Sequence, residues 1–296
     1  MLMNGPLYEP VWMEHPDMMI RPLTLQDVPD LRLGWSSRLT ERDIEEQLIE
    51  NPGLSLWSPQ TLEYIVGGKW RHRDEIAGVV DLAAISGAVV LLQAFAAAAE
   101  QAGKRLVIAT EHAESRRQAF YQAAGYDRVE EIIIYELDAI PSRPPIPTDL
   151  RFERASVDDP ETLRALLDVD NRAFPWLWWN CTAEFIDYGH SPGVSIYLGR
   201  DPDGRAVSYL GVTLYRNWGH LDRIAVIPET QGTGYGLQSL DWAVRTLGRA
   251  GARRVGLSTQ VRNTRSRRLY ENYGFHRSPA QDYALYGRWV GPAEVI

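Results

Sequence analysis

Apolar and polar residues alternate along 194–199 and again along 206–215, which predicts two half-buried strands. Asp201-Pro202-Asp203-Gly204 lies between them and predicts the hairpin turn that joins them. Around this hairpin the second half of the chain reads as a strand at 150–154, then a helix at 160–172 started by Asp158 or Asp159. An aromatic stretch and a short helix at 182–188 follow. Beyond the hairpin come a central strand at 220–226, a main helix at 234–248, a strand at 254–261 and a closing strand at 283–289. The first half is less sharply patterned. Residues 20–23 start it, alanine-rich 89–102 is its main helix, and 105–109 and 131–137 are strands. The alanines imply close packing of that helix on a sheet.

The two halves are related. Residues 105–126 align with 254–275 at a constant offset of 149, pairing Thr110 with Thr259, Tyr121 with Tyr270, Gly125 with Gly274 and Tyr126 with Phe275. The chain is therefore expected to be a tandem repeat, divided into 1–140, a linker at 141–147 and 148–296. The linker, PSRPPIP, has four prolines in seven residues, which excludes helix and interior strand and favours a stiff extended spacer. The starts of the two copies, at 20–22 and 150–152, differ by only 130. The first copy is thus about 19 residues shorter before its last helix, a deficit expected in its early strands.

The segment 224–236, IAVIPETQGTGYG, carries the clearest chemistry. An apolar strand runs into a glycine loop that opens a helix. Gly232, Gly234 and Gly236 leave no β-carbons in the way, so successive backbone N–H groups can close on phosphate oxygens where the helix dipole also attracts them. No Gly-Lys-Ser/Thr follows, so this is not a Walker loop. On the next strand and helix, 263–275 reads NTRSRRLYENYGF. Asn263 can cap that helix, Tyr270 follows two turns later so that both can face one groove, and Gly274 ends it.

A Gln-x-x-Gly-x-Gly loop followed by Asn and a Leu-Tyr-Glu-x-x-Gly-Phe helix resembles the GCN5-related N-acetyltransferase (GNAT) superfamily, over roughly 219–275. The resemblance implies an α/β fold of two tandem GNAT-like domains, each a mixed, mainly antiparallel twisted sheet flanked by helices. It further implies that Gln231, Gly232, Thr233, Gly234, Tyr235 and Gly236 hold the pyrophosphate of acetyl-CoA, and that Ile224, Ala225 and Val226 meet pantetheine on a strand splayed at a bulge. Asn263 would touch that arm and the Val226 N–H would polarise the thioester carbonyl. Tyr270 would reprotonate the CoA thiolate. Arg262, Arg265, Arg267 and Arg268 cluster beside this site, with Arg267 taken as a phosphate contact or, on the alternative reading, part of a solvated helix face.

The base is less determined. His220 and Asp222 share one face of the central strand by alternation, and either could deprotonate the amine, or Asp222 could instead pair with Arg223. Trp176, Trp178 and Trp179 lie where family members build the acceptor pocket; they either recognise a flat, apolar or cationic acceptor or pack between the halves. In the first copy the loop corresponds to 82–87, LAAISG, where only Gly87 survives, and Glu114 replaces Asn263. That copy is therefore expected to bind no acetyl-CoA, with Tyr121 as scaffold.

The implied function is N-acetylation of a small amine by direct transfer. Tandem members of the superfamily include mycothiol synthase, so acylation of a thiol-metabolite precursor or an aminoglycoside is an alternative, as is a non-catalytic CoA-binding sensor. Charge and composition narrow the partners. Residues 1–147 hold 13 Lys+Arg against 22 Asp+Glu, and the remainder 18 against 17. An acidic first half without a basic stripe excludes a nucleic-acid partner. The single cysteine, Cys181, excludes a disulfide framework and reads as a small buried hydrophobe. No 18-residue apolar run and no leader pattern are present, so no membrane partner is expected and the location is expected to be cytoplasmic. No metal site is expected.

Overall fold

The protein is described by a computed structural model covering residues 18–33, 37, 39–110 and 118–294. Glu114 lies outside the described residues. The first half contains β1 (Arg21–Pro22), α1 (Glu41–Glu50), β2 (Leu56–Ser58), β3 (Glu63–Trp70), β4 (Arg73–Ala83), α2 (Ala88–Gln101), β5 (Leu106–Thr110), α3 (Gln118–Ala123) and β6 (Asp127–Leu137). The second contains β7 (Arg151–Arg154), α4 (Pro160–Ala173), α5 (Thr182–His190), β8 (Val194–Arg200), β9 (Ala206–Tyr215) and β10 (Trp218–Val226). It continues with α6 (Tyr235–Arg249), β11 (Arg254–Gln260), α7 (Thr264–Tyr273), β12 (His276–Arg277) and β13 (Tyr283–Trp289).

The helices α1, α4 and α7 start where side chains satisfy free N–H groups. Thr40 and Asp43 form a reciprocal capping box on α1, Asp159 caps α4 ahead of Pro160, and Asn263 Oδ1 accepts the Ser266 N–H at 3.1 Å to cap α7. On the buried face of α2, Leu91, Leu92, Phe95, Ala96 and Ala99 are sealed against the first half's strands. Leu240, Ala243, Val244 and Leu247 of α6 do the same in the second half, against Leu210, Val212, Leu221 and Leu257.

Among the described residues the thirteen strands belong to one sheet, ordered β1-β2-β3-β4-β5-β13-β6-β11-β10-β9-β8-β7, with β12 beside β6. The order corrects one expectation. Residues 283–289 were expected to close the second half, but β13 pairs with β5 and β6 of the first. In return β6 lies against β11 of the second half. Each half lends its last strand to the other, so the two share one continuous hydrogen-bonded ladder. The linker at 141–147 has no helix or strand, and it is clipped to α6 by the Ile146 N–H donating to Asp241 at 3.0 Å. Among the described residues no helix is long and apolar enough to cross a membrane.

Candidate active site

The site begins where two strands part. β10 and β11 pair in parallel only from Trp218 with Arg254 to Leu221 with Leu257. Beyond that point β10 continues to Val226 bonded only to β9, and β11 to Gln260 bonded only to β6. The facing edges of Asp222–Val226 and of 258–260 are left open. A bulge in the β9–β10 register falls between Leu221 and Arg223, at Asp222. The extra residue bends β10 and turns its edge outward.

At the far end of the opening lies the glycine loop. Gly232 and Gly234 have φ of +89° and +97°, values that L side chains adopt at a cost, and Gly234 stands at the N-cap of α6. Among the described residues, the N–H groups of residues 232–236 are donated to no other group of the protein. They form a row of free donors at a helix N-terminus. A cleft of about 830 Å³ runs from this loop along the open edge, lined by Ile224, Ala225, Val226, Asn263, Arg262 and Arg265 among others. The free donors, the glycine path and the open edge fit a pyrophosphate followed by an extended amide-bearing arm.

A smaller chamber of about 220 Å³ adjoins the cleft and shares Phe174, Ile224, Gln260, Asn263 and Ser266 with it. Tyr270 and Asp222 both line it. Tyr270 is 4% exposed, and burial holds its phenol well above the ordinary range, so it is protonated at neutral pH. Asp222 accepts hydrogen bonds from Tyr188 Oη at 2.6 Å and Thr213 Oγ1 at 2.7 Å, and its other oxygen lies 2.7 Å from His220 Nδ1. These contacts fix the carboxylate beside the chamber. Of the two candidate bases only Asp222 reaches the wall; His220 stands beside it and edge-on to Trp218.

Several expected positions are elsewhere. Arg223 does not pair with Asp222. It bonds fully buried Asp170 at 2.6 Å, Tyr209 Oη at 2.9 Å and the Trp178 carbonyl at 2.8 Å, and lies 4.0 Å over the Phe174 ring. Its role is to tie the aromatic segment to β10. Of the three tryptophans only Trp178 lines the chamber. Trp176 stacks on Trp289 with centroids 5.6 Å apart and sits under Arg73, while Trp179 Nε1 donates to the Phe174 carbonyl at 2.7 Å. With Ile76, Leu106, Ile132 and Leu285 they form a core between the halves.

Arg267 is likewise displaced from its expected place. It donates to the Val261 carbonyl at 3.0 Å and contacts Tyr135 of β6, away from the cleft, whereas Arg262 and Arg265 reach the mouth. Thr233 and Tyr235 contribute backbone, since Thr233 Oγ1 returns to the Thr230 carbonyl at 2.7 Å and Tyr235 packs against the core. Cys181 is only half-buried, at the N-cap of α5. The largest omission is Arg71. This residue of the β3–β4 tip lines the chamber, and nothing in the repeat pattern marks it.

The corresponding loop of the first half is closed. Glu63 Oε1 accepts the N–H groups of Ile85 at 2.7 Å and Ser86 at 2.9 Å, and Oε2 that of Gly87 at 2.8 Å. An internal carboxylate thus takes the donors that the second half leaves free. Tyr121 stacks on Tyr286 at 4.0 Å and is 4% exposed, the setting of scaffold.

A splayed, bulged strand pair with an anion cradle at one end and a buried phenol at the other is the framework of an acyltransferase. Residues 161–275 match the sequence profile of the acetyltransferase (GNAT) family, and the chain carries a GNAT domain there. Solved structures extend the likeness over nearly the whole chain. A GCN5-related N-acetyltransferase from Sphaerobacter thermophilus is 16% identical, with 94% of this chain and 98% of that one covered at a TM-score of 0.61. A tandem GNAT protein from the clavulanic acid biosynthesis pathway is 15% identical over 94% and 100%, at 0.55. A GCN5-related N-acetyltransferase from Kribbella flavida is 14% identical over 92% and 71%, at 0.64. At these identities the likeness speaks for the fold, two tandem GNAT-like halves. No curated protein matches the chain by sequence.

Proposed function

We propose that residues 148–296 form an acetyl-CoA-dependent N-acetyltransferase for a small amine, joined through 141–147 to a degenerate copy at 1–140. The observation that carries this reading is a pair of adjoining openings that share Phe174, Ile224, Gln260, Asn263 and Ser266, one lined by the glycine loop whose N–H groups are free and the other by the buried Tyr270. The loop binds the pyrophosphate, with Arg262 and Arg265 at the mouth and Gln231 held against the Val226 carbonyl at 2.9 Å. The open edge of Ile224, Ala225 and Val226 pairs with the pantetheine amides, and Asn263 faces them. Acetyl-CoA supplies an activated acyl carbon as a thioester.

Proton handling falls to two residues. Asp222 takes the proton of the acceptor ammonium, directly or through water, and His220 at 2.7 Å gives that proton a route outward. The neutral amine then attacks, so that a C–N bond forms as the C–S bond breaks, while backbone N–H groups of the open edge, that of Val226 among them, stabilise the oxyanion. Tyr270 donates its proton to the departing thiolate, and the second proton of the amine nitrogen, shed as the tetrahedral intermediate collapses to the amide, restores the phenol. The test is thiol release from acetyl-CoA against a panel of amines, wild type beside Asp222→Asn. Acetyl-CoA binding without thiol release for any amine would leave a CoA-binding sensor instead of an enzyme.

A further inference from the structure

The tip of the β3–β4 hairpin is a two-residue turn, Trp70 pairing with Arg73, and its central residues Arg71 and His72 have φ of +52° and +55°. Such a turn favours Asn-Gly, because left-handed backbone crowds a β-carbon. Here it carries Arg and His. The tip places Arg71, a first-half residue, in the wall of the chamber that Asp222 and Tyr270 line from the second half.

The guanidinium is held but not filled. Nη2 is engaged by Asn180 Oδ1 and lies 3.2 Å from Glu184, and the group sits 5.8 Å over the Trp178 ring. Among the described residues Arg71 makes no side-chain hydrogen bond through Nε or Nη1, and Nε is buried. Trp178, 9% exposed, lines the same wall with its Nε1 buried and without a partner. Two residues of one wall, one of them a cation, thus each keep a buried donor that no group of the protein meets among the described residues. Asp170 cannot serve, since Arg223 and Tyr209 occupy it. Burial and the charge of Arg223 both push the Arg71 pKa down, consistent with a cation that Glu184 does not fully compensate.

Resting on the reading of this chamber as the acceptor side, we propose that Arg71 and Trp178 Nε1 bind a carboxylate of the acceptor. The substrate class is then a small amino acid or amino-acid-like amine, with its ammonium toward Asp222. Arg presents the planar fork that matches a carboxylate. The chamber of about 220 Å³ is smaller than the roughly 300 Å³ at which drug-sized sites begin, which suits a compact metabolite. The acyl-transfer step is the one given above and needs no further reactant. The first half, without a cradle of its own, serves the second by supplying the specificity group.

The test compares amino acids with their carboxamides as acceptors, using acetyl-CoA and the full chain. Wild type should prefer the acid by about 10- to 100-fold in kcat/KM, mainly through KM, the range expected for hydrogen bonds to a charged group. In Arg71→Gln the acid-to-amide ratio should fall toward one, and Arg71→Lys should keep part of it. Equal use of acids and amides by wild type would overturn the inference without any variant. If no acceptor supports turnover, the same compounds are read by thermal shift in the presence of acetyl-CoA. Acids that raise the Tm of wild type but not of Arg71→Gln would sustain the carboxylate site and defeat only the catalytic reading; no shift from any acid would overturn the site.

Discussion

Gly87 donates its backbone N–H to the Glu63 carboxylate at 2.8 Å, at the point of the first half that corresponds to the glycine loop of the second. The corresponding helix start therefore has two outcomes in one chain, with Gly87 at φ -87° and Gly234 at φ +97°. It closes on an internal anion in one half and stays open in the other. If Glu63 replaces a lost phosphate ligand, its charge supports the first half. Glu63→Gln keeps the shape and removes the charge from three N–H bonds, so stability should fall by about 1–3 kcal/mol, read as a lower urea midpoint, with acetyl-CoA affinity unmoved. An unchanged midpoint would mean that the contact is incidental.

Tyr270→Phe keeps the ring contacts with Tyr135 and Phe275 at 6.0 Å and removes the proton. Turnover should drop about 10- to 1000-fold with acetyl-CoA affinity nearly constant, the range for a positioned acid. A rate near wild type would show that solvent protonates the thiolate.

Trp176 and Trp178 separate packing from recognition. Trp178→Leu should raise acceptor KM by roughly 2- to 30-fold, the loss of about 0.5–2 kcal/mol from an aromatic face or its donor. Trp176→Leu, which loses the stack on Trp289, should lower Tm and leave acceptor KM unchanged. The account of the segment fails if the two effects are exchanged.

Asp241, 2% exposed, receives the Ile146 N–H, Arg245 Nε at 2.8 Å and Tyr273 Oη at 2.8 Å. Burial opposes its ionisation, but Arg245 and the other donors outweigh it and hold its pKa below the usual carboxylate range. A depressed folded pKa gives stability that is present above the unfolded value, about 3.9, and is lost as pH falls through the folded one. Asp241→Asn should cost about 1–3 kcal/mol at pH 7, with the gap to wild type narrowing below about pH 4. A gap that stays constant with pH would remove the charge from the explanation.

Much of the candidate site was legible because its residues sit on local sequence. The glycine run at 231–236 and the pair Asn263 and Tyr270 are each fixed by one loop or one helix, and the cap at Asn263 follows from side-chain reach. What depended on distant pairing was not legible. No local pattern distinguishes a strand that closes its own half from one lent to the other, so β13 was assigned to the wrong neighbours. The buried pair of Arg223 with Asp170 joins residues 53 apart, and Arg71 meets Asn180 across 109. Alternation along β10 correctly put His220 and Asp222 on one face, yet it could not show that the bulge turns only Asp222 into the chamber. The three tryptophans look alike in sequence and share one core between the halves, and only the wall of the chamber separates Trp178 from the other two.

On the proposed function, one cleft, in the second half alone, binds acetyl-CoA. Isothermal titration calorimetry of the full chain with acetyl-CoA tests it most directly, with Gly234→Asp as the paired variant. An aspartate there would have to adopt the φ of +97° and would set a negative side chain among the phosphate donors. The expected result is one site per chain in wild type and none in the variant. Two sites in wild type, or full binding by Gly234→Asp, would contradict the account.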